Sequence, residues 1–421
     1  MTSKTFTSGT VVDSPWLNDV NTATYTSVPA LQTKTANLPT VSAFAGTTMD
    51  DPDAASFRAT IGAQVAGSYA NSGINSDITS LSAVTSINSG YLYGNRVING
   101  AQEIDQVNAG AAVTPSVTGF TYLTDMFATF IGTTVSKLTF QQVVDAPAGL
   151  KNSMKITVAS QFAPAAGDYF VLQTGIEGKD VIDFQLGTAG AATITLSNWI
   201  KGSVAGTYAV RLLNAAANRS YVGTVAVTTS WSQVKITLQG DTTGTWATDN
   251  TAGLLITWDL GSGTNFNTTV GSWQAGNFTR TSGSVTFVNQ VAGSTLNITG
   301  VDCRLGSVAP TVFERRANEL QLAQRYYQLN TANNGYTSST TNGSLAISGP
   351  VQMRANPSLA LVNGTATLVD YGTSTRNISS IGTLTGMTPT GGLVDFVCSA
   401  TTSGKTHGVV GGAISLAARL F

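Results

Sequence analysis

The stretch Tyr208-Ala209-Val210-Arg211-Leu212 sets large apolar residues at every second position, and Val234-Lys235-Ile236-Thr237-Leu238 and Leu254-Leu255-Ile256-Thr257-Trp258 alternate in the same way. Successive side chains of a strand point to opposite faces, so each segment predicts a β-strand with one face turned inward. Ile194-Thr195-Leu196 upstream and Leu296-Asn297-Ile298 downstream carry the same period. Between them lie Gly240-Asp241-Thr242-Thr243-Gly244 and Gly261-Ser262-Gly263, residue types that reverse a chain at low steric cost. Short strands punctuated in this way predict a mainly β protein whose centre, residues 91–312, is one antiparallel jelly-roll β-sandwich.

Composition supports a β-rich, turn-rich chain and removes several other classes. Only 10% of the 421 residues are charged, against roughly 25% in an ordinary soluble domain. No apolar run approaches the roughly 18 residues of a spanning helix, so membrane insertion is not expected. With 42% hydrophobic residues and a net charge of -1, the chain has the opposite of the disorder signature. Its 21 basic residues are balanced by 22 acidic ones, which leaves no electrostatic footprint for nucleic acid. Cys303 and Cys398 stand far apart and read as two free, small hydrophobes. Behind Lys4 there is no signal-type apolar run, so folding in a cytoplasm is expected.

Outward from the sandwich, the flanking regions follow different rules. In residues 1–90, Ser14 and Pro15 form a helix-start signal followed by Trp16, Leu17 and Val20, and Asp51-Pro52 starts a second short helix with Phe57 and Ile61 on one face and Gly62 as its stop. Ile74, Ile78, Leu81 and Thr85 are spaced four, three and four apart; this suits either a seam between identical chains or a polar linker touching a neighbouring surface. Residues 313–330 are expected to form a connector helix over Glu314–Leu329, with Leu320, Ala323 and Tyr327 at helical spacing. Residues 331–421 return to short strands and turns, a small C-terminal β domain ending on the apolar Ile414-Ser415-Leu416-Ala417-Ala418-Arg419-Leu420-Phe421.

Catalytic constellations are sparse. The single histidine, His407, lies in a Gly/Thr-rich stretch, no G-x-S-x-G elbow accompanies it, and Gly404-Lys405-Thr406 lacks the first glycine of a phosphate-binding loop, where Ser399 stands. Glu177, Asp180 and Asp183 are the tightest acidic cluster. They could form a carboxylate pair, a structural calcium site or a solvated turn whose acids cap backbone amides. Trp246 and Trp273 sit in Gly/Thr/Asn-rich turns, where an indole serves either as a sugar platform or as packing. Trp199 and Trp258 lie in strands and are expected in the core. Asn218-Arg219-Ser220 and Asn297-Ile298-Thr299 match the glycosylation pattern by chance in a Thr-rich chain.

Thr7-Ser8-Gly9-Thr10-Val11-Val12 followed by Trp16-Leu17-Asn18-Asp19-Val20-Asn21 resembles the N-terminal segment of bacteriophage tail fibre and tailspike proteins, and Phe57-Arg58-Ala59-Thr60-Ile61-Gly62 and Asn75-Ser76-Asp77-Ile78-Thr79-Ser80-Leu81 resemble their linker phrases. Residues 96–328 resemble a β-sandwich module of phage tail proteins, similar to carbohydrate-binding jelly rolls. The resemblance rests on Ile104-Asp105-Gln106-Val107-Asn108-Ala109-Gly110, Asp145-Ala146-Pro147-Ala148-Gly149, Ala166-Gly167-Asp168-Tyr169, Phe313-Glu314-Arg315-Arg316 and Gln324-Arg325-Tyr326-Tyr327. Thr124-Asp125-Met126-Phe127 departs from the family's pattern, and Val351-Gln352-Met353-Arg354-Ala355-Asn356-Pro357 is similar to the opening of its small C-terminal domain.

The resemblance implies an elongated homotrimeric tail fibre, located in the virion and assembled in the bacterial host cytoplasm. Its Trp16, Leu17, Asn18, Asp19 and Val20 would anchor it to tail or adaptor proteins, and its distal part would attach to a bacterial surface glycan or other receptor. No catalytic set and no cofactor comes with the resemblance. The alternatives are a tailspike depolymerase, although the sequence shows no β-helix period, and an adaptor or assembly protein of the tail without receptor contact.

Overall fold

The computed structural model describes residues 94–330, 334–337, 339, 341–370, 375–398 and 406–420, all within one compact unit, Ser89–Phe421. The expected helices of the first ninety residues, the seam at Ile74, Ile78, Leu81 and Thr85, and the anchoring residues Trp16, Leu17, Asn18, Asp19 and Val20 lie outside the described residues. The side chains of His407 and Cys398 do so too.

The protein is mainly β, as the alternation predicts. Twelve strands build the sandwich: β1 (Gly119–Tyr122), β2 (Phe127–Ile131), β3 (Leu138–Val143), β4 (Ser153–Val158), β5 (Phe170–Glu177), β6 (Thr193–Gly202), β7 (Gly206–Leu213), β8 (Arg219–Val227), β9 (Ser232–Gln239), β10 (Ala252–Asp259), β11 (Trp273–Ala275) and β12 (Thr295–Leu305). One sheet runs β1-β2-β5-β10-β7-β8-β11 and the other β3-β4-β12-β6-β9. The chain crosses repeatedly between them, so the apolar side chains of both inner faces interlock. Phe127, Phe170, Leu172, Val210, Leu212, Ile256 and Trp258 from the first sheet meet Phe140, Ile156, Ile194, Leu196, Leu296 and Ile298 from the second in one buried cluster. Each such side chain contributes about 1.5–3 kcal/mol by leaving water.

The edge strand β9 shows the expected alternation, with Ile236 and Leu238 inward and Gln233, Lys235, Thr237 and Gln239 exposed. The central strands do not. β5 and β10 are buried along their whole length, and β12 along all but its two ends, so the expectation of one inward face fails for them. On β12 a neighbouring segment covers the second face. Residues 94–102 lie along β12, with the Arg96 amide donating to the Cys303 carbonyl (2.9 Å) and the Val301 amide to the Gly100 carbonyl (3.0 Å). A Cβ on Gly100 would stand 2.1 Å from the Val301 carbonyl oxygen, so this approach needs a glycine. The outward Asn297 and Thr299 of β12 bond the Ser153 hydroxyl and the Asn152 carbonyl beneath this cover. Cys303 is a free, fully buried thiol, and burial pushes its ionisation up. Trp258 is core as expected, whereas Trp199 is only half-buried.

The connector differs from its expected form. Helix α1 covers only Glu319–Gln324, not Glu314–Leu329. Its N-cap, Asn318, is left-handed (φ 60°), which interrupts any helix arriving from Glu314. Arg315 and Arg316 are drawn away to Glu103 (2.7 Å) and to the Arg96 carbonyl (3.1 Å). Beyond α1, Tyr327–Asn330 is a strand, β13, because pairing with the last strand offers a complete backbone ladder that outweighs helix propensity.

That last strand, β19 (Thr406–Ala417), closes a small barrel with β14 (Asn334–Thr337), β15 (Asn342–Ser348), β16 (Ser358–Asp370), β17 (Thr375–Thr388) and β18 (Gly391–Cys398). β19 pairs with β14 on one side and β16 on the other, so the order β19-β14-β15-β18-β17-β16 returns to its start. Leu345, Ile347, Met353, Ile378, Phe396, Ile414 and Leu416 form its core. The barrel is fastened to the sandwich by two arginines. Arg419 lies 4.1 Å from the ring centre of Tyr122 and 4.2 Å from that of Tyr327, and Arg354 donates to the Asn250 and Arg419 carbonyls.

Candidate functional site

The first sheet has a second, outer face, and the strand register assembles a site on it. One transverse row runs Tyr122, Ala128, Gln173, Thr257, Arg211 and Val222 across β1, β2, β5, β10, β7 and β8. The neighbouring row on one side contains Phe120, Phe130, Val171 and Asp259, and on the other Gly175, Leu255, Leu213 and Ser220. Loops from Ala165–Tyr169 and around Phe266 rise beside these rows and leave an open groove of about 440 Å³.

Four aromatic rings form one wall. Phe120 meets Phe130 edge-on at 4.8 Å, Phe130 meets Tyr169 at 5.5 Å, and Tyr169 meets Phe266 at 4.8 Å, each pair steeply inclined. Phe120 is 40% exposed, while Tyr169 is almost covered. Leu213 and Leu255 form the facing wall, and Arg211, fully buried, lies in the floor. Its guanidinium donates to the Tyr169 hydroxyl, to Asn277 Oδ1 and to the Phe278 carbonyl. Burial pushes the Arg211 ionisation down and that of Tyr169 up, so Tyr169 remains a neutral phenol.

Three polar atoms of the central row lack a hydrogen-bond partner: Gln173 Nε2, Thr257 Oγ1 and Arg211 Nε. All three belong to side chains at 4% exposure or less. Leaving one buried polar group unsatisfied costs about 1–3 kcal/mol, and here three stand side by side in a single row. Apolar rings beside clustered donors are what a pyranose requires, because its C–H face packs on ring faces while its hydroxyls take hydrogen bonds.

The two loop tryptophans are placed differently. Trp246 is 9% exposed, and its indole N–H donates to the Thr243 carbonyl (3.1 Å). Trp273, half-buried on the edge strand β11, donates to the Gln239 carbonyl (2.8 Å) and meets Trp246 edge-on at 5.3 Å. Tyr221, Arg219 and Asp241 complete a shallow hollow of about 500 Å³ there, with Arg219 Nε 2.7 Å from Asp241. Trp246 acts as packing under the Gly240–Gly244 turn, and Trp273 keeps a partly open ring.

Glu177 and Asp180 share Lys179, and Asp183 is drawn away to Arg96. Glu177 is fully buried and faces Lys179 (2.7 Å), Arg325 (3.2 Å) and Arg354 (3.5 Å). Asp180 pairs with Lys179 (3.0 Å) and Asp183 with Arg96 (2.6 Å). The expectation of a solvated, amide-capping turn therefore gives way to an ion-pair hub for Glu177, which caps no amide of the following 3-10 turn. Among the described residues, no group of three His, Cys, Asp or Glu is arranged to hold a metal ion.

Sequence reasoning did not single out Phe120, Phe130, Tyr169, Gln173, Arg211 or Phe266. The available signal was a charged residue in the middle of Tyr208-Ala209-Val210-Arg211-Leu212, which alternation assigns to the outer face and to solvent. Only the register shows that Gln173 and Thr257 stand beside it.

No protein-family model matches the chain. No curated protein matches it either. Among solved structures, it is similar to the family 11 carbohydrate-binding module from Clostridium thermocellum in complex with a β-1,3-1,4-mixed-linked tetrasaccharide (13% identity, 46% of this chain, 100% of that chain, TM-score 0.25). A second is TmCBM61 in complex with β-1,4-galactotriose (10% identity, 50% of this chain, 99% of that chain, TM-score 0.26). A third is the enzymatically active domain of tailspike protein 4 of bacteriophage CBA120 (10% identity, 50% of this chain, 21% of that chain, TM-score 0.26). These neighbours are carbohydrate-binding modules and a phage tailspike domain, and at such TM-scores the likeness adds nothing to the account of the site built from the residues.

Proposed function

We propose that the chain is a non-enzymatic attachment protein that recognises a bacterial surface glycan through the outer-face groove, as a homotrimeric tail fibre of a bacteriophage virion. The observation that carries glycan recognition is the groove itself: four linked rings beside three unpartnered polar atoms in one buried row. The fibre role is supported by the N-terminal and linker phrases of the sequence, with Trp16, Leu17, Asn18, Asp19 and Val20 docking on tail or adaptor proteins. Recognition of this kind needs no cofactor. Trimers presenting repeated weak sites gain apparent affinity by linkage without new contacts.

The test is binding of the purified full chain to host cells in competition with soluble host surface polysaccharide. The proposal expects retention on cells, its loss to the polysaccharide, no oligosaccharide release, and about tenfold weaker retention for Phe130→Ala. Released oligosaccharide would turn the assignment to a depolymerase. Absence of cell binding, with the chain still incorporated in virions, would turn it to an adaptor. Light scattering should give three times the 43.4 kDa chain mass; a monomer would remove the fibre.

A further inference from the structure

Arg211 poses a problem of charge as well as of hydrogen bonds. Its side chain is 1% exposed, and every partner it has is neutral: a phenol, a side-chain amide and a backbone carbonyl. Among the described residues, no carboxylate lies within ion-pairing distance of it, in contrast to Arg219, Arg280, Arg304, Arg315, Arg325 and Arg354, each of which has one. Asp259, whose charge Arg211 senses, is already committed to the Gly261 and Ser262 amides (both 3.0 Å), with Arg280 at 3.7 Å. A buried cation without a counter-ion is among the costlier things a fold can retain, and one that borders an open groove has an obvious place from which its anion can come.

The groove is otherwise electrically consistent with this. No acidic residue lines it, so Arg211 gives it a formal charge of +1 in a chain whose total is -1. Asn277, the acceptor for one Arg211 nitrogen, is itself exposed at the rim and can be replaced there by an incoming oxygen. Gln173, which stands in the same row and lines the groove, offers Nε2 as a further donor.

We infer that the groove selects an acidic sugar, a uronic or sialic acid residue, whose carboxylate takes the place of Asn277 as the acceptor for Arg211 while the ring packs against Phe130 and Tyr169. This rests on the glycan-binding reading of the groove and narrows it to a substrate class. A carboxylate matches the planar guanidinium, and a charge-assisted hydrogen bond is about twice as strong as a neutral one.

The test uses the full chain and calorimetric titration with oligogalacturonate, oligoglucuronate and oligosialate, each beside the same oligosaccharide with its carboxyls reduced to alcohols, and with neutral β-glucan and xylan oligosaccharides. The inference expects at least one acidic ligand to bind about tenfold or more tightly than its reduced counterpart. That preference should shrink as salt rises, disappear in Arg211→Gln and survive in part in Arg211→Lys. The carboxyl-reduction arm needs no variant, so a misfolded Arg211→Gln leaves the test intact. Equal binding of acidic and reduced forms, or binding of neutral oligosaccharides alone, with either lost in Phe130→Ala, overturns the acidic class while the groove reading stands. If none of these sugars binds and Phe130→Ala leaves cell adhesion unchanged, the groove reading fails and the inference with it.

Discussion

Two aromatic clusters on the sandwich use the same residue types to opposite ends. At the Trp246–Trp273 edge, both indole N–H groups are spent on backbone carbonyls, and the neighbouring arginine is neutralised by Asp241. In the outer-face groove, the rings stand beside donors that have nothing to bond, and the arginine has no counter-ion. The first cluster is complete within the chain, whereas the second leaves buried polar atoms without a partner. Satisfaction of polar atoms, more than the presence of aromatic residues, separates a packing cluster from a recognition surface.

The largest expected effect breaks the comparison on its structural side. Trp246→Ala should cost about 3–5 kcal/mol of stability, as loss of a buried indole does, with the Kd for glycan unchanged in the folded fraction; denaturant melts beside titration calorimetry measure both. Arg219→Ala removes the cation facing Asp241, which is 2% exposed and keeps, among the described residues, only Thr243 as a side-chain and amide donor. It should cost about 3 kcal/mol, again with no change in affinity. A clear loss of affinity in either variant would make the tryptophan edge a second binding surface.

Asp125 sharpens the comparison as a buried polar group of the same sandwich that is well partnered. It stands at the turn leading into β2, and the Gln106 backbone amide (2.7 Å) and side-chain amide (2.8 Å) both donate to it. Burial nevertheless pushes its carboxyl up to about 6, above the ordinary value of 3.8. A folded-state value above the unfolded one means that its contribution to stability is fully present below about pH 4 and is lost as pH rises through about 6. The stability of Asp125→Asn relative to the natural protein should therefore improve by about 2–3 kcal/mol between pH 4 and pH 7.5, read from urea melts at the two values. A pH-independent difference would show that Asp125 does not titrate in this range.

Phe120→Ala should produce the smallest change. Phe120 is 40% exposed, so its removal should cost stability less than about 0.5 kcal/mol. Glycan affinity should fall by about 1 kcal/mol, or roughly fivefold in Kd. This pattern is the reverse of that for Trp246, and equal affinity would exclude Phe120 from the site.

Much of the sandwich was legible in its period. Val234-Lys235-Ile236-Thr237-Leu238 alternates in the sequence and in the structure because β9 is an edge strand with one side in water. The same pattern in β10 misleads, since Thr257 and Asp259 on its outer face are as buried as Ile256 and Trp258, and Leu255 in the groove wall nearly so. The helix expected from Glu314 to Leu329 shortened to six residues because Asn318 turns left-handed and Tyr327–Asn330 finds a ladder on β19. Both are tertiary effects on which local periodicity is silent. The groove was hidden for the same reason: Gln173, Thr257 and Arg211 come from separate strands, and only the pairing register sets them side by side. Trp246 and Trp273 drew attention because turns suggest exposure, yet Trp246 is covered and both indole N–H groups are satisfied.

The most direct measurement is hydrogen–deuterium exchange of the full chain with and without saturating host surface polysaccharide. The account predicts slowed exchange in residues 127–133, 169–175 and 211–217, the strands and loops that build the groove, and none in 239–246 beneath Trp246. Protection confined to 239–246, or bound polysaccharide with no protection in the three groove segments, would contradict it.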